Sequence, residues 1–288
     1  MEKFNPIVIF LYFLGTAGIS MLCMNPVMQA IGFIGALAYF LVRNLGKRTG
    51  SHWPFFLLAA FAFFLNPLLT HNGATVLFFL NGNPVTLEAC LYGAVCGIML
   101  LGMLYWFRSF SALMPSDKIL YLLGRISPKL ALMLSMALRY VPLFGMQMKK
   151  TAAAQRAMGM IREDDAIARI RGGVRVFSVT LTWALENGIV TADGMEARGY
   201  SDGRRTSFAI YRFYRRDGVL LALIGVLVSA IVVGLVFGCA DHQYYPIFTV
   251  RMDTTAILIY CAYGLLVCLP SAIEAGDIIK WKYLQSKI

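Results

Sequence analysis

The sequence predicts an all-α polytopic membrane protein: about six transmembrane helices, with long amphipathic cytoplasmic helices between the fourth and fifth. Three observations carry this. First, 59% of the 288 residues are hydrophobic and only 14% are charged, against about 45–50% and about 25% in soluble domains. A soluble core stops growing near ~250–300 residues and cannot hide so much apolar surface, which excludes an ordinary cytosolic enzyme. Second, Phe4 to Val42 holds no charged residue. Third, the net charge of +11, from 26 Lys+Arg against 15 Asp+Glu, is confined to a few segments.

The uncharged N-terminal run would make roughly 58 Å of helix, about twice a ~30 Å hydrocarbon core. Asn25-Pro26 is a turn signal near its middle, so two spans are expected, at about 7–24 and 27–42. A third is expected at about 53–69. The fourth, at about 85–106, has Glu88 as its only charge, near one end. Spans five and six are expected at about 218–239 and 255–272. The implied segments are an N-terminal bundle (1–107), a cytoplasmic amphipathic-helix region (108–217) and a C-terminal pair with its tail (218–288).

Basic residues sort the connections. Arg108 to Arg216 holds 18 of the 26, and only Arg251 falls on the opposite side of the membrane from the other 25. By the positive-inside rule, both termini and the 108–217 segment are expected to be cytoplasmic. A secretory signal peptide over Met1–Cys23 is disfavoured, because no Ala-x-Ala-like site follows and the apolar run continues into span two. The six cysteines lie in or beside apolar spans without a Cys-x-x-Cys pair and read as small hydrophobes. His52, His71 and His242 are scattered, and no metal site is expected from them.

The membrane part offers little chemistry. Carriers of ions need ionisable groups at membrane depth, and Glu88 reads as an interfacial carboxylate near a helix N-terminus. No P-loop is present; Gly46-Lys47-Arg48 lacks the upstream glycine and the hydroxyl residue. Gly93-x-x-x-Gly97 and Gly234-x-x-x-Gly238 are read as sites of close helix packing within the protein.

The 108–217 segment is too long for a loop and too rich in Leu, Met, Ala and aromatics for disorder. Ser116-Asp117 and Ser127-Pro128 are helix starts. From Ser127, Leu134, Leu138, Val141, Met148 and Ala152 mark an apolar stripe. Pro142 is expected to kink that helix, and Gly159 to end it. Glu163-Asp164-Asp165 suits a helix first turn better than an Asp-rich metal motif, since no second cluster follows. Gly172-Gly173 is read as a break. A helix from about Val174 to Arg198 follows, with Val174, Phe177, Leu181, Ala184/Leu185, Gly188, Ala192 and Met195 on one stripe and Gly199 at its end. Gly188-x-x-x-Ala192 is expected to let another helix cross closely.

The two helices end alike, in Ala154-Gln155-Arg156-Ala157-Met158-Gly159 and Met195-Glu196-Ala197-Arg198-Gly199-Tyr200. With Arg139-Tyr140-Val141-Pro142 upstream and an apolar N-terminal bundle before it, the chain resembles the transmembrane T component of energy-coupling factor (ECF) transporters, prokaryotic importers of vitamins and transition-metal ions. The resemblance covers nearly the whole chain. Residues 195–200 match the family's second Ala-Arg-Gly type motif closely. Residues 154–159 match the first except that Met158 replaces the expected arginine.

The resemblance implies a non-catalytic subunit in the prokaryotic cell membrane that binds no cofactor itself. It implies docking of residues 154–159 and 195–200 onto two ABC-type ATPases, identical or different, that hold ATP and Mg. It further implies a membrane-embedded S component that binds the substrate and is reoriented by motion of the coupling helices. The competing reading is an integral membrane enzyme acting on a phospho-lipid at the cytoplasmic face. It lacks a carboxylate cluster or nucleophile–base pair near the membrane surface. Nucleic acid is not an expected partner, because the basic excess is accounted for by orientation in the membrane.

Overall fold

The computed structural model describes residues 4–44, 52–70, 73–80, 83–160, 166–200, 211–245, 248–250 and 252–285. Over these the chain is helical apart from two short hairpins. Its elements are α1 Pro6–Leu22, α2 Pro26–Arg43, α3 Trp53–Leu69, strands β1 Val76–Leu80 and β2 Asn83–Thr86, α4 Leu87–Leu113 and α5 Ser116–Ile126. They continue with α6 Pro128–Ala157, α7 Ala166–Ala197, α8 Arg215–Val236, strands β3 His242–Gln243 and β4 Thr249–Val250, and α9 Thr254–Gln285. The expected spans are α1, α2, α3, α4, α8 and α9. Among the described residues α2, α4, α6, α8 and α9 are long and apolar enough to cross a membrane, while α1 and α3 have 17 residues each, the lower end of the ~17–25 a span needs. Sequence reading had not counted α6 among such helices.

Local chemistry sets the helix ends. Asn5 and Asn25 cap α1 and α2, each accepting from the backbone N–H two residues on, at 3.1 and 3.0 Å, and each is followed by proline at the first helical position. Helix α4 starts later than its apolar run suggests, because Val85 belongs to β2 and Thr86 Oγ1 accepts from the Ala89 N–H. The same helix continues beyond 106 to Leu113, and α9 continues beyond 272 to Gln285. β1 and β2 pair antiparallel from Val76↔Thr86 to Leu80↔Asn83, with a bulge between Val76 and Phe78.

Two compact units arise, Met1–Lys118 with Tyr211–Ile288, and Ile119–Ile210. In the first, α4 packs against α3, α2 and α1, α2 against α9, and α8 against α1 and α9. Trp106, 1% exposed, is the centre of an aromatic cluster. Tyr39 stacks on it at 6.3 Å, while Tyr12 and Phe13 meet it edge-on at 6.0 and 5.6 Å. Tyr12 also donates to the Leu266 carbonyl at 3.1 Å, tying α1 to α9.

Close approach depends on glycine. A Cβ on Gly93 would stand 2.7 Å from the Phe63 carbonyl oxygen, and one on Gly97 3.1 Å from that of Ala59, so this pair packs α4 onto α3. Gly234 meets the Ile259 side chain on α9, but Gly238 does not pack; it has φ +68° and ends α8. Gly32 and Gly35, absent from the expected pairs, face Tyr263 and Val267 of α9.

Polar groups close both ends of this unit. At one, Asn25 donates to the Ala240 carbonyl (3.1 Å) and to Tyr260 Oη (2.9 Å), and Tyr244 donates to the Met24 carbonyl. Glu88, 4% exposed, accepts there from the Thr75 hydroxyl at 2.8 Å and the Thr75 N–H at 3.3 Å, so its role is to pin the 73–75 segment. At the other, Asp217 accepts from the Tyr214 N–H (3.0 Å) and the Asn5 N–H (3.4 Å), and Arg43 donates to the Ala112 carbonyl at 3.0 Å.

Candidate partner-docking ends of helices α6 and α7

In the second unit α6 packs on α7. Tyr140 Oη lies 2.9 Å from Thr191 Oγ1 and 3.5 Å from the Asn187 carbonyl, which accepts from it. Phe144 meets Trp183 edge-on at 6.3 Å. Moving forward along α6 therefore means moving backward along α7, and the helices run in opposite senses through the contact.

Three expectations are corrected here. Gly172-Gly173 does not break the chain; α7 runs through it from Ala166, since glycine permits a break without imposing one. Gly188 is not the crossing point, because a Cβ there would meet nothing within 4 Å. The apolar stripes do not form the contact either. Val174, Phe177, Leu181 and Leu185 are 46–63% exposed, and Val141 is 66% exposed. Inward on α7 lie Gly172, Val176 and Thr180, then half-buried Trp183, Asn187 and Thr191. The contact is made instead by small, polar and aromatic groups, with Tyr140 against Thr191 and Phe144 against Trp183. Helix α6 also continues through Pro142 to Ala157 as one helix.

The two ends share one geometry. After α6, the Gly159 N–H bonds the Arg156 carbonyl at 2.9 Å and the Met160 N–H bonds the Gln155 carbonyl at 3.0 Å. After α7, the Gly199 N–H bonds the Glu196 carbonyl at 2.8 Å and the Tyr200 N–H the Met195 carbonyl at 3.1 Å. Both are Schellman motifs, with Gly159 and Gly199 each at φ +69°. This register pairs Met158 with Arg198 at the C-cap and Arg156 with Glu196 two positions earlier. Arg156 therefore lies about 200° round the helix from Met158 and does not occupy the place of the missing arginine.

Of the twelve residues singled out in the sequence, Ala154, Arg156, Ala157, Met158, Gly159, Glu196, Ala197, Arg198, Gly199 and Tyr200 are exposed, Met195 is half-buried and Gln155 is buried. Gln155 is 5% exposed and its Oε1 has no hydrogen-bond partner. Met160, 51% exposed, was missed, although it stands in the register of Tyr200. The Schellman bonds are not themselves a docking signal, since α8 ends in the same way at Gly238. What sets the ends of α6 and α7 apart is their shared Ala-x-Gly pattern. The two ends leave the contact in opposite directions, on the order of 40 Å apart along the helices at 1.5 Å per residue. Glu163-Asp164-Asp165 lies outside the described residues. Among the described residues no group of three His, Cys, Asp or Glu side chains is placed to hold a metal.

The fold is that of an all-α polytopic membrane protein carrying two long helices with matched, exposed C-terminal caps. A family model described as cobalt transport protein, CbiQ, matches residues 5–208, and the chain belongs to this family. The energy-coupling factor transporter transmembrane protein EcfT of Leuconostoc gelidum subsp. gasicomitatum is 34% identical over 108 residues, 36% of this chain and 40% of that protein. The protein of the same name from Lacticaseibacillus paracasei is 36% identical over 105 residues, 34% and 40% of the two chains. EcfT 1 of Listeria monocytogenes is 31% identical over 106 residues, 36% and 40%. The chain thus spans about 40% of the length of the curated relatives it matches.

Proposed function

We propose that the protein is the non-catalytic transmembrane coupling subunit of an ECF-type ABC importer for a vitamin or a transition-metal ion. The observation that carries this reading is the pair of exposed caps in one register, residues 154–159 and 195–200. Each carries the Ala-x-Gly pattern, with Met158 or Arg198 at the same C-cap position. Two such ends suit two partner sockets. The partners are two ABC-type ATPases, which hold ATP and Mg, and a membrane-embedded S component, which holds the substrate. ATP-driven movement of the ATPases displaces α6 and α7, and these reorient the S component. The 108–217 segment and both termini lie in the cytoplasm, on the side where 25 of 26 basic residues fall.

A guanidinium at a helix end makes bidentate bonds to a carboxylate. Arg198→Glu is therefore expected to leave the protein in the membrane but abolish co-purification with the two ATPases and, with it, transport. Survival of the complex and of transport would remove Arg198 from the coupling role.

A further inference from the structure

The face of α7 that α6 leaves uncovered combines an apolar stripe with two arginines that have no acidic partner among the described residues. Ile167, Ile170, Val174, Phe177, Leu181 and Leu185 follow at three- and four-residue steps and are each 46–69% exposed, along about 27 Å of helix. Arg171 and Arg175 each come one residue after a member of the stripe, so both lie about 100° round the helix from it, on one flank. Both are exposed, and no carboxylate among the described residues pairs with either. Glu186, the first acidic residue of α7 beyond them, is eleven positions past Arg175, about 16 Å along the axis.

These two features together select one environment. A soluble acidic partner would match the arginines and leave the stripe in water. A purely apolar transmembrane partner would match the stripe and strand two guanidinium groups. The boundary between headgroups and acyl chains matches both, because apolar side chains sink about 5–10 Å into it while arginine stems reach back to the phosphates. In a protein already held in a bilayer, such a surface is at hand. We infer that the N-terminal half of α7 lies at the membrane surface and binds anionic phospholipid, with Arg171 and Arg175 clasping the headgroup phosphate and Val174 and Phe177 in the acyl layer.

The test uses the purified full-length protein in detergent, titrated with dioctanoyl phosphatidylglycerol or dioctanoyl phosphatidylcholine and read by native mass spectrometry. Phosphatidylglycerol is expected to be retained in preference to phosphatidylcholine. Arg171→Gln/Arg175→Gln is expected to weaken its retention roughly 25-fold, from about fivefold for each of the two basic residues near a headgroup. Arg171→Lys/Arg175→Lys should restore most of it, and Lys149→Gln/Lys150→Gln on α6 should leave it unchanged. Equal retention of the two lipids, or insensitivity to the arginine pair, overturns the assignment. Displacement of the lipid by millimolar inorganic phosphate overturns it too, in favour of a free-anion site. So does unchanged lipid retention with loss of co-purifying membrane or ATPase subunits, which would make the face a protein contact.

Discussion

At the scale of single residues, Gly159 and Gly199 differ from the other glycines of the second unit by conformation. Among the described glycines of that unit, these two alone hold a positive φ, +69°, where an L side chain costs about 1–2 kcal/mol. A Cβ on either would meet nothing within 4 Å, so the cost is purely backbone. Gly199→Ala is expected to destabilise the α7 end by about 1 kcal/mol, read as faster amide exchange in its last turn. Gly188→Ala, at a helical position with open space, should instead stabilise the helix by about 0.8–1 kcal/mol. Two glycines on one helix thus give shifts of opposite sign. Equal effects would mean that the left-handed cap is not held.

At the scale of elements, helix existence was legible and helix facing was not. Ends were punctuated by Asn25-Pro26, Ser127-Pro128, Gly159 and Gly199, each with a local physical reason to stop or start a helix. Which face packs depends on what lies outside, and a periodicity argument presumes water. In α7 the expected stripe from Val174 to Leu185 faces outward, while Gly172, Val176 and Thr180 face in. The β1–β2 hairpin was also missed, although Asn81-Gly82 between two extended runs is a hairpin signal; the high hydrophobicity around it drew the reading toward span ends. For α2 and α9, Gly32 and Gly35 lie three apart, so no four-residue small-residue motif marked them. Their role gives a test. Gly35→Ala would drive a methyl into the buried Val267 side chain and is expected to cost about 1–3 kcal/mol. Adding Val267→Ala should recover much of that loss in the thermal midpoint in detergent, whereas an additive loss would place the clash elsewhere.

At the scale of the whole molecule, candidate site residues separated by roughly 40 positions in sequence reach equivalent cap positions on two helices. The repeat of Ala-x-Gly made this legible. The burial of Gln155 and the matching of Met160 to Tyr200 needed the structure, because they follow from cap register rather than composition. That register also exposes a difference in chemistry. The α6 end presents Met158 and Met160, 60% and 51% exposed, whereas the α7 end presents Arg198 and Tyr200. A thioether suits an apolar pocket and gains nothing from a carboxylate, while a guanidinium left unpaired in an apolar pocket costs several kcal/mol. One socket type cannot serve both ends well, so the two proposed ATPase partners are expected to differ. The measurement is the affinity of each purified ATPase for the full-length protein. Arg198→Ala should weaken one ATPase at least tenfold, a loss of about 1.4 kcal/mol or more, with little effect on the other. Met158→Ala should do the reverse, by a smaller factor, because only a few methylene equivalents are lost at about 0.8 kcal/mol each. Equal losses at both ATPases, or full assembly with two copies of a single ATPase, would show that the sockets are alike despite the unlike caps.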